Sequence, residues 1–383
     1  MTRTSDRPRQ RSFVTLMWPW TLALALLGPA CGTETGNPGD TQEILALRES
    51  AALQASAHLL EVGENLEDVT TQDEAALVGS LSGGAMPVPS HLGLLAFRTV
   101  VPALSTQQSS CVVQDRDAVV ERSRTVSRPF STTDRQGRIF DSLVERTMTL
   151  TNRMRRRDDQ PLSCGPGGRS AIITAEAYRV LDITSLFKAS VERGYSLRSA
   201  SDEIFREAKV QATKEGERRV SISLEAEGTT DELHVRQVTN SLEQSLSLTK
   251  NSQTISMESK MATAQGKPLV FALKKAGALR SWTLATLRSG TLVASEPSGA
   301  TTETSFENVV IGRESPCVPE SGTITGARYP AGSQGSSAGA PPGPSASPVL
   351  TYEINFEAGE AWIRFDKQEA RQELAFNLCS GLD

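Results

Sequence analysis

Two short runs near the C-terminus set the terms on which this chain folds. Tyr352, Ile354 and Phe356 alternate with polar residues up to Ala358-Gly359, and Ala361, Ile363 and Phe365 alternate down from it. Strict period-two alternation places every apolar side chain on one face of a strand, so the pair reads as a β-hairpin with one buried side. The same grammar recurs upstream, where Val220, Ile222, Leu224 and Ala226 alternate with Ser221, Ser223 and Glu225. Strand-like runs also cover 119–120, 124–126, 139–150, 171–183, 255–261, 269–273, 282–287 and 306–311, and Leu374, Phe376 and Leu378 supply a last strand ending at Cys379. The stretches 185–193 and 202–210 fit a helix or a strand, and 233–248 is read as a strand. The expected fold is mainly β: a large antiparallel sheet, as a sandwich or half-barrel, behind a short helical N-terminal segment.

That helical segment occupies 41–82. Asp40-Thr41-Gln42-Glu43 resembles a capping box, and Ile44, Leu47, Leu53, Leu59 and Leu60 form an apolar stripe before Gly63. A second box, Thr71-Gln72-Asp73-Glu74, opens a short helix, and Gly83-Gly84 with Pro87-Val88-Pro89 turns 83–110 into loop. The β domain is expected over 111–383, interrupted at 331–348 by a Gly/Ser/Pro/Ala-rich loop with too little apolar content to pack. Ser289-Gly290-Thr291-Leu292 echoes Ser321-Gly322-Thr323-Ile324, which suits two similar strand entries in one meander better than a solenoid repeat.

The N-terminus has its own logic. Arg3, Arg7, Arg9 and Arg11 precede an apolar stretch over 13–27, and Gly28-Pro29-Ala30 lead into Cys31. A basic start, a short apolar core and small residues before a cut site describe an export signal over 1–30. The apolar stretch is too short for an ordinary membrane span. This arrangement resembles bacterial lipoproteins, in which cleavage just before a cysteine is coupled to its acylation. Gly28 stands where that family usually has Leu, with Leu27 one position further back. The following Gly32-Thr33-Glu34-Thr35-Gly36-Asn37-Pro38-Gly39 resembles the start of a group of poorly characterised lipoproteins from Gram-negative soil bacteria. The resemblance implies lipid attachment at Cys31, a tether over 31–40, and an outer-membrane location, because Gly32 rather than Asp follows the cysteine.

With Cys31 acylated, Cys111, Cys164, Cys317 and Cys379 remain, an even number suited to an oxidising compartment. Of three possible connectivities we expect Cys111–Cys164 and Cys317–Cys379, since each pair brackets one strand-rich segment. No two of these cysteines have zinc-knuckle spacing.

Charge narrows the partners. The full chain carries −5, and the signal contributes four Arg against one Asp, so removing its +3 leaves −8. An acidic surface argues against nucleic acid. Arg153, Arg155, Arg156 and Arg157 do cluster, but Asp158 and Asp159 follow at once, as at a solvated strand end. Catalytic signals are thin. Gly335-Ser336-Ser337-Ala338-Gly339 matches a nucleophile elbow but lacks the flanking strand and helix. His58, His91 and His234 lie singly, His58 as a surface or packing residue and His234 in a charged turn. No catalytic residue, metal or cofactor is assigned. The expected function is a non-enzymatic structural or binding role in the cell envelope, with a membrane partner through the lipid. One alternative is a carrier of lipid or another apolar ligand, its cavity lined by residues such as Leu224, Met257, Phe271 and Trp362. The other is a hydrolase with dispersed carboxylates.

Overall fold

A computed structural model describes Arg48, Ala51, His58 and residues 104–133, 138–199, 204–225, 232–250, 253–275, 282–312, 319–331, 347–357, 360–366 and 371–373. The signal, Cys31, the tether, nearly all of 41–82, Cys317, Cys379, the strand expected at 374–378 and most of the low-complexity loop lie outside the described residues.

The mainly β expectation holds. In chain order the elements are β1 (Leu104–Gln114), β2 (Asp117–Thr133), β3 (Ile139–Arg156), β4 (Ser163–Cys164), β5 (Ala171–Ile172), the single-turn α1 (Ala175–Tyr178), β6 (Leu181–Arg198), β7 (Ile204–Leu224) and β8 (Glu232–Lys250). There follow β9 (Gln253–Thr263), β10 (Leu269–Lys275), β11 (Trp282–Ser295), β12 (Thr301–Gly312), β13 (Ser321–Tyr329), β14 (Leu350–Glu357), β15 (Glu360–Phe365) and β16 (Gln372–Glu373). All but β4 and β5 join one 14-stranded antiparallel sheet in the order β1-β2-β3-β6-β7-β8-β10-β11-β12-β13-β14-β15-β16, with β9 paired to both β8 and β11.

Two sequence expectations need correction and one ambiguity is resolved. The β region begins at Leu104, inside the stretch read as loop. Residues 185–193 and 202–210 contain no helix where described; 185–193 lies in β6, and β7 starts at Ile204. The run 171–183 is not one strand but β5, α1 and the start of β6, with the Thr174 hydroxyl capping α1 by accepting from the Ala177 amide at 3.2 Å. Thr caps break strand-like runs locally, because their side chains satisfy amides that a helix start leaves open.

The C-terminal hairpin forms as read. Tyr352, Ile354 and Phe356 face Phe365, Ile363 and Ala361 across β14 and β15, and all six are at most 5% exposed. They belong to one apolar cluster that runs from Ala118 on β2 to Phe365 on β15. We call the face carrying this cluster the inner face. Register extends it across the sheet through Met154, Ile183, Val220 and Val238 to Leu269. Burying each Leu, Ile or Phe there is worth about 1.5–3 kcal/mol, so this face is the main source of stability.

Two further pieces close on the inner face. Ala51 is fully buried in the same cluster, and Arg48, Ala51 and His58 are all helical. The His58 Nδ1 lies 2.6 Å from the Thr304 hydroxyl, which is 2.8 Å from that of Tyr352. His58 is thus a core residue rather than a surface one. At the other end, the Cys111–Cys164 disulfide (Cα–Cα 5.8 Å) fastens the β3–β6 connection, from which Leu162 and Tyr178 enter the core. Closing a separation of 53 residues contributes about 4 kcal/mol through chain entropy. The same connection shields part of the β1 edge, where the Cys111 amide donates to the Gly168 carbonyl at 2.6 Å.

Candidate functional site

A groove on the outer face, of about 610 Å3, lies where the sheet is kinked. Its origin is in the sequence. Leu287 and Leu292 are both buried in the core although five residues apart, as are Phe306 and Val309 although three apart. An unbroken strand sends residues at odd spacing to opposite faces, so an extra residue must intervene in each strand. Gly290 (φ 144°) on β11 and Asn308 (φ 49°) on β12 mark these irregularities, and Gly322 (φ 119°) on β13 lies opposite the β12 bulge. A side chain is excluded at both glycines: a Cβ on Gly290 would sit 2.7 Å from the Leu269 Cα, and one on Gly322 2.5 Å from the Val309 Cα. The Ser-Gly-Thr echo noted in the sequence therefore places a positive-φ glycine on each strand flanking β12, beside its bulge.

The groove floor is a patch of hydroxyls. Ser289 and Thr291 on β11 face Glu307 and Ser305 on β12, which face Thr323 and Thr325 on β13. Thr291 and Ser305 share a hydrogen bond of 2.9 Å, and the Thr323 hydroxyl donates to Asn355 Oδ1 at 2.9 Å. At the rim, Arg288 pairs with Glu225 at 2.6 Å and Lys267 with Glu303 at 3.3 Å. Each hydroxyl both donates and accepts, so the floor suits a ligand that offers several donors and acceptors in a plane.

The polar pattern continues to β15. Asn355 Nδ2 donates to Glu353 at 2.7 Å and Arg364 to the same carboxylate at 2.8 Å. These contacts, Asn355 first, hold the Glu353 carboxyl below its ordinary value. Glu192 is lowered likewise by Lys209 and Gln211, and Asp158 by Arg156. A general acid needs a shift in the opposite direction. The Tyr352 hydroxyl is pushed well up by burial, against the Thr304 contact, and serves the core.

The residues singled out from sequence fall as follows. Cys111 and Cys164 are joined; Cys31, Cys317, Cys379, His91 and the Gly335–Gly339 motif lie outside the described residues. His234 is no turn residue: it sits on β8, 1% exposed, with its ring 5.4 Å from that of Tyr178. Arg153 and Arg155 reach Asp117 at 3.7 and 3.9 Å, Arg156 pairs with Asp158, and Arg157 with Asp182 at 2.5 Å, so the cluster is internally neutralised. Of the residues expected to line a carrier cavity, Leu224 and Phe271 lie on the inner face, and the Met257 side chain is outside the description. Trp362 is instead on the outer face, opposite Asn355 and half-buried. The groove residues were not singled out from sequence as a site, since Ser, Thr and Gly carry no strong motif; the repeated Ser-Gly-Thr was the only trace. Among the described residues no three His, Cys, Asp or Glu side chains gather as a metal site.

Comparison with protein-family models, with curated proteins and with solved structures finds no match for this chain.

Proposed function

We propose that this protein is exported, held at the outer membrane by acyl chains on Cys31, and acts there by binding rather than by catalysis. The working surface is the outer-face groove, and the ligand class is a polyhydroxylated envelope component, a glycan. The observation that carries the reading is the hydroxyl floor: Ser289, Thr291, Ser305, Thr323 and Thr325 converge in a cleft of about 610 Å3, within the size range of small-ligand sites. Gly290 and Asn308, both at positive φ, line that cleft.

The test fills the groove from the outside. Ser305→Leu with Thr325→Leu keeps the inner face intact and replaces two floor hydroxyls by bulk. Calorimetric titration with soluble peptidoglycan fragments and with deacylated lipopolysaccharide should show binding of at least one by the native protein, weakened tenfold or more in the variant. No binding of either, or equal binding by native and variant proteins of the same unfolding midpoint, would sink the proposal.

A further inference from the structure

The hairpin of β14 and β15 sorts its side chains by face, with one exception. Its inner positions from Tyr352 to Phe365 are apolar and buried. On the outer face the register sets Glu353 opposite Arg364, Asn355 opposite Trp362 and Glu357 opposite Glu360, and Trp362 faces Glu373 of β16 on its other side. The bulkiest side chain of the hairpin thus stands half-buried among polar and charged neighbours, on the face turned away from the core. A single apolar residue at a surface is ordinary. What sets Trp362 apart is its place in a row that begins in the groove.

Glu307, Thr323, Asn355 and Trp362 are consecutive cross-strand partners on β12, β13, β14 and β15. Both ends of the Asn355 amide are held. Its Oδ1 accepts from the Thr323 hydroxyl at 2.9 Å, and its Nδ2 donates to Glu353 at 2.7 Å, whose other carboxylate oxygen accepts from Arg364 at 2.8 Å. The polar floor therefore runs from the groove to the indole through fixed hydrogen bonds. Strands lie about 4.8 Å apart, which sets β15 about 10 Å beyond β13 and makes the row from β11 to β15 about 19 Å long. That is a track across the strands rather than a pocket for one ring. Sugars match both of its ends, because a pyranose carries hydroxyls around its edge and C–H groups on its faces. The edge suits floor hydroxyls that donate and accept, and the face suits a stiff, amphipathic indole. A purely apolar ligand would desolvate the floor hydroxyls without pairing them.

We propose that Trp362 is the platform of a second subsite, and that the ligand is a linear oligosaccharide lying across β11 to β15, with one sugar on the hydroxyl floor and a later sugar stacked on the indole. This subsite rests on the glycan reading of the groove and gives the ligand a length and a direction.

Calorimetric titration of the mature, full-length protein with a short and a long fragment of peptidoglycan glycan strand, and of deacylated lipopolysaccharide, tests it. For at least one of these glycans the native protein should bind the long fragment at least tenfold tighter than the short one. Trp362→Ala should remove that gain while binding the short fragment as the native protein does, and Trp362→Phe, which keeps a ring, should retain most of it. Fluorescence supplies a readout that lost stability does not imitate: the emission change on adding the long fragment should be absent from Trp362→Phe although the fragment still binds. Equal affinity for the two lengths, a gain that survives Trp362→Ala, or equal weakening of both lengths by that variant overturns the second subsite and leaves the groove standing. No binding of either length by the native protein, or binding indifferent to Ser305→Leu with Thr325→Leu, is instead a failure of the groove, and the subsite falls with it.

Discussion

On the outer face of β7, Glu215 meets Lys188 at 2.7 Å with 47% and 67% of their side chains exposed; one residue earlier, on the inner face, Lys214 is 5% exposed against Phe187. Adjacent residues of one strand thus live under opposite rules. Outside, charges of both signs pair in water, as Lys209–Glu192 and Lys260–Glu243 also do, and each pair is worth little. Inside, apolar side chains carry the energy, and the cations Lys214, Arg218 and Arg236 are buried among them. The contrast teaches that parity along the strand decides what a residue contributes here. It also explains the bulges, which change parity in mid-strand so that β11 and β12 keep the core on one side.

If that contrast is right, substitutions should separate by face. The largest effect is expected at the inner-face staple: Cys111→Ala with Cys164→Ala should cost about 4 kcal/mol in urea unfolding, with loss of protection in 157–180. Gly322→Val comes next, at about 3 kcal/mol, because the new side chain meets the β12 backbone at a φ of 119°. Thr304→Val should cost about 2 kcal/mol, since it takes a buried hydroxyl from between His58 and Tyr352 without changing volume. A smaller, pH-dependent effect belongs to Glu353→Gln on the outer face. The native carboxyl is held below its ordinary 4.5, so its contribution is complete above that pH and fades as pH falls through the lower folded value. The difference in Tm between native and variant proteins should therefore be constant above about pH 5 and close below pH 4.5. Smallest of all, Lys188→Ala should change stability by less than about 0.5 kcal/mol and by less still in high salt. A Lys188→Ala loss as large as that of Thr304→Val would erase the distinction between the faces.

The sequence was readable where one face is purely apolar. Tyr352 to Phe365 declare a hairpin because nothing polar interrupts the inner positions. Residues 185–193 and 202–210 were ambiguous for the opposite reason. Their neighbours on the inner face include Asn152, Ser185, Lys214 and Arg218, so hydrophobic alternation fails although the strands are long and regular. Pairing of whole strands, 18 residues in β6 and 21 in β7, holds them extended despite that weak local signal. The Cys111–Cys164 pairing was favoured among three connectivities because the two cysteines bracket a strand-rich segment. The groove was not, because it depends on where the bulges of β11 and β12 align, and a bulge is written in single residues rather than in a pattern. The burial of His58 was equally hidden, since it comes from docking against a strand 246 residues away.

The central claim is that this sheet is a binding scaffold held at a membrane through Cys31. Intact mass of the mature protein from the membrane fraction, compared with a Cys31→Ser variant, tests it most directly. The account predicts an N-terminus at Cys31 carrying acyl mass, and a variant that leaves the membrane fraction while keeping the Cys111–Cys164 disulfide. An unmodified Cys31 in the mature protein, or a variant that stays with the outer membrane, would contradict it.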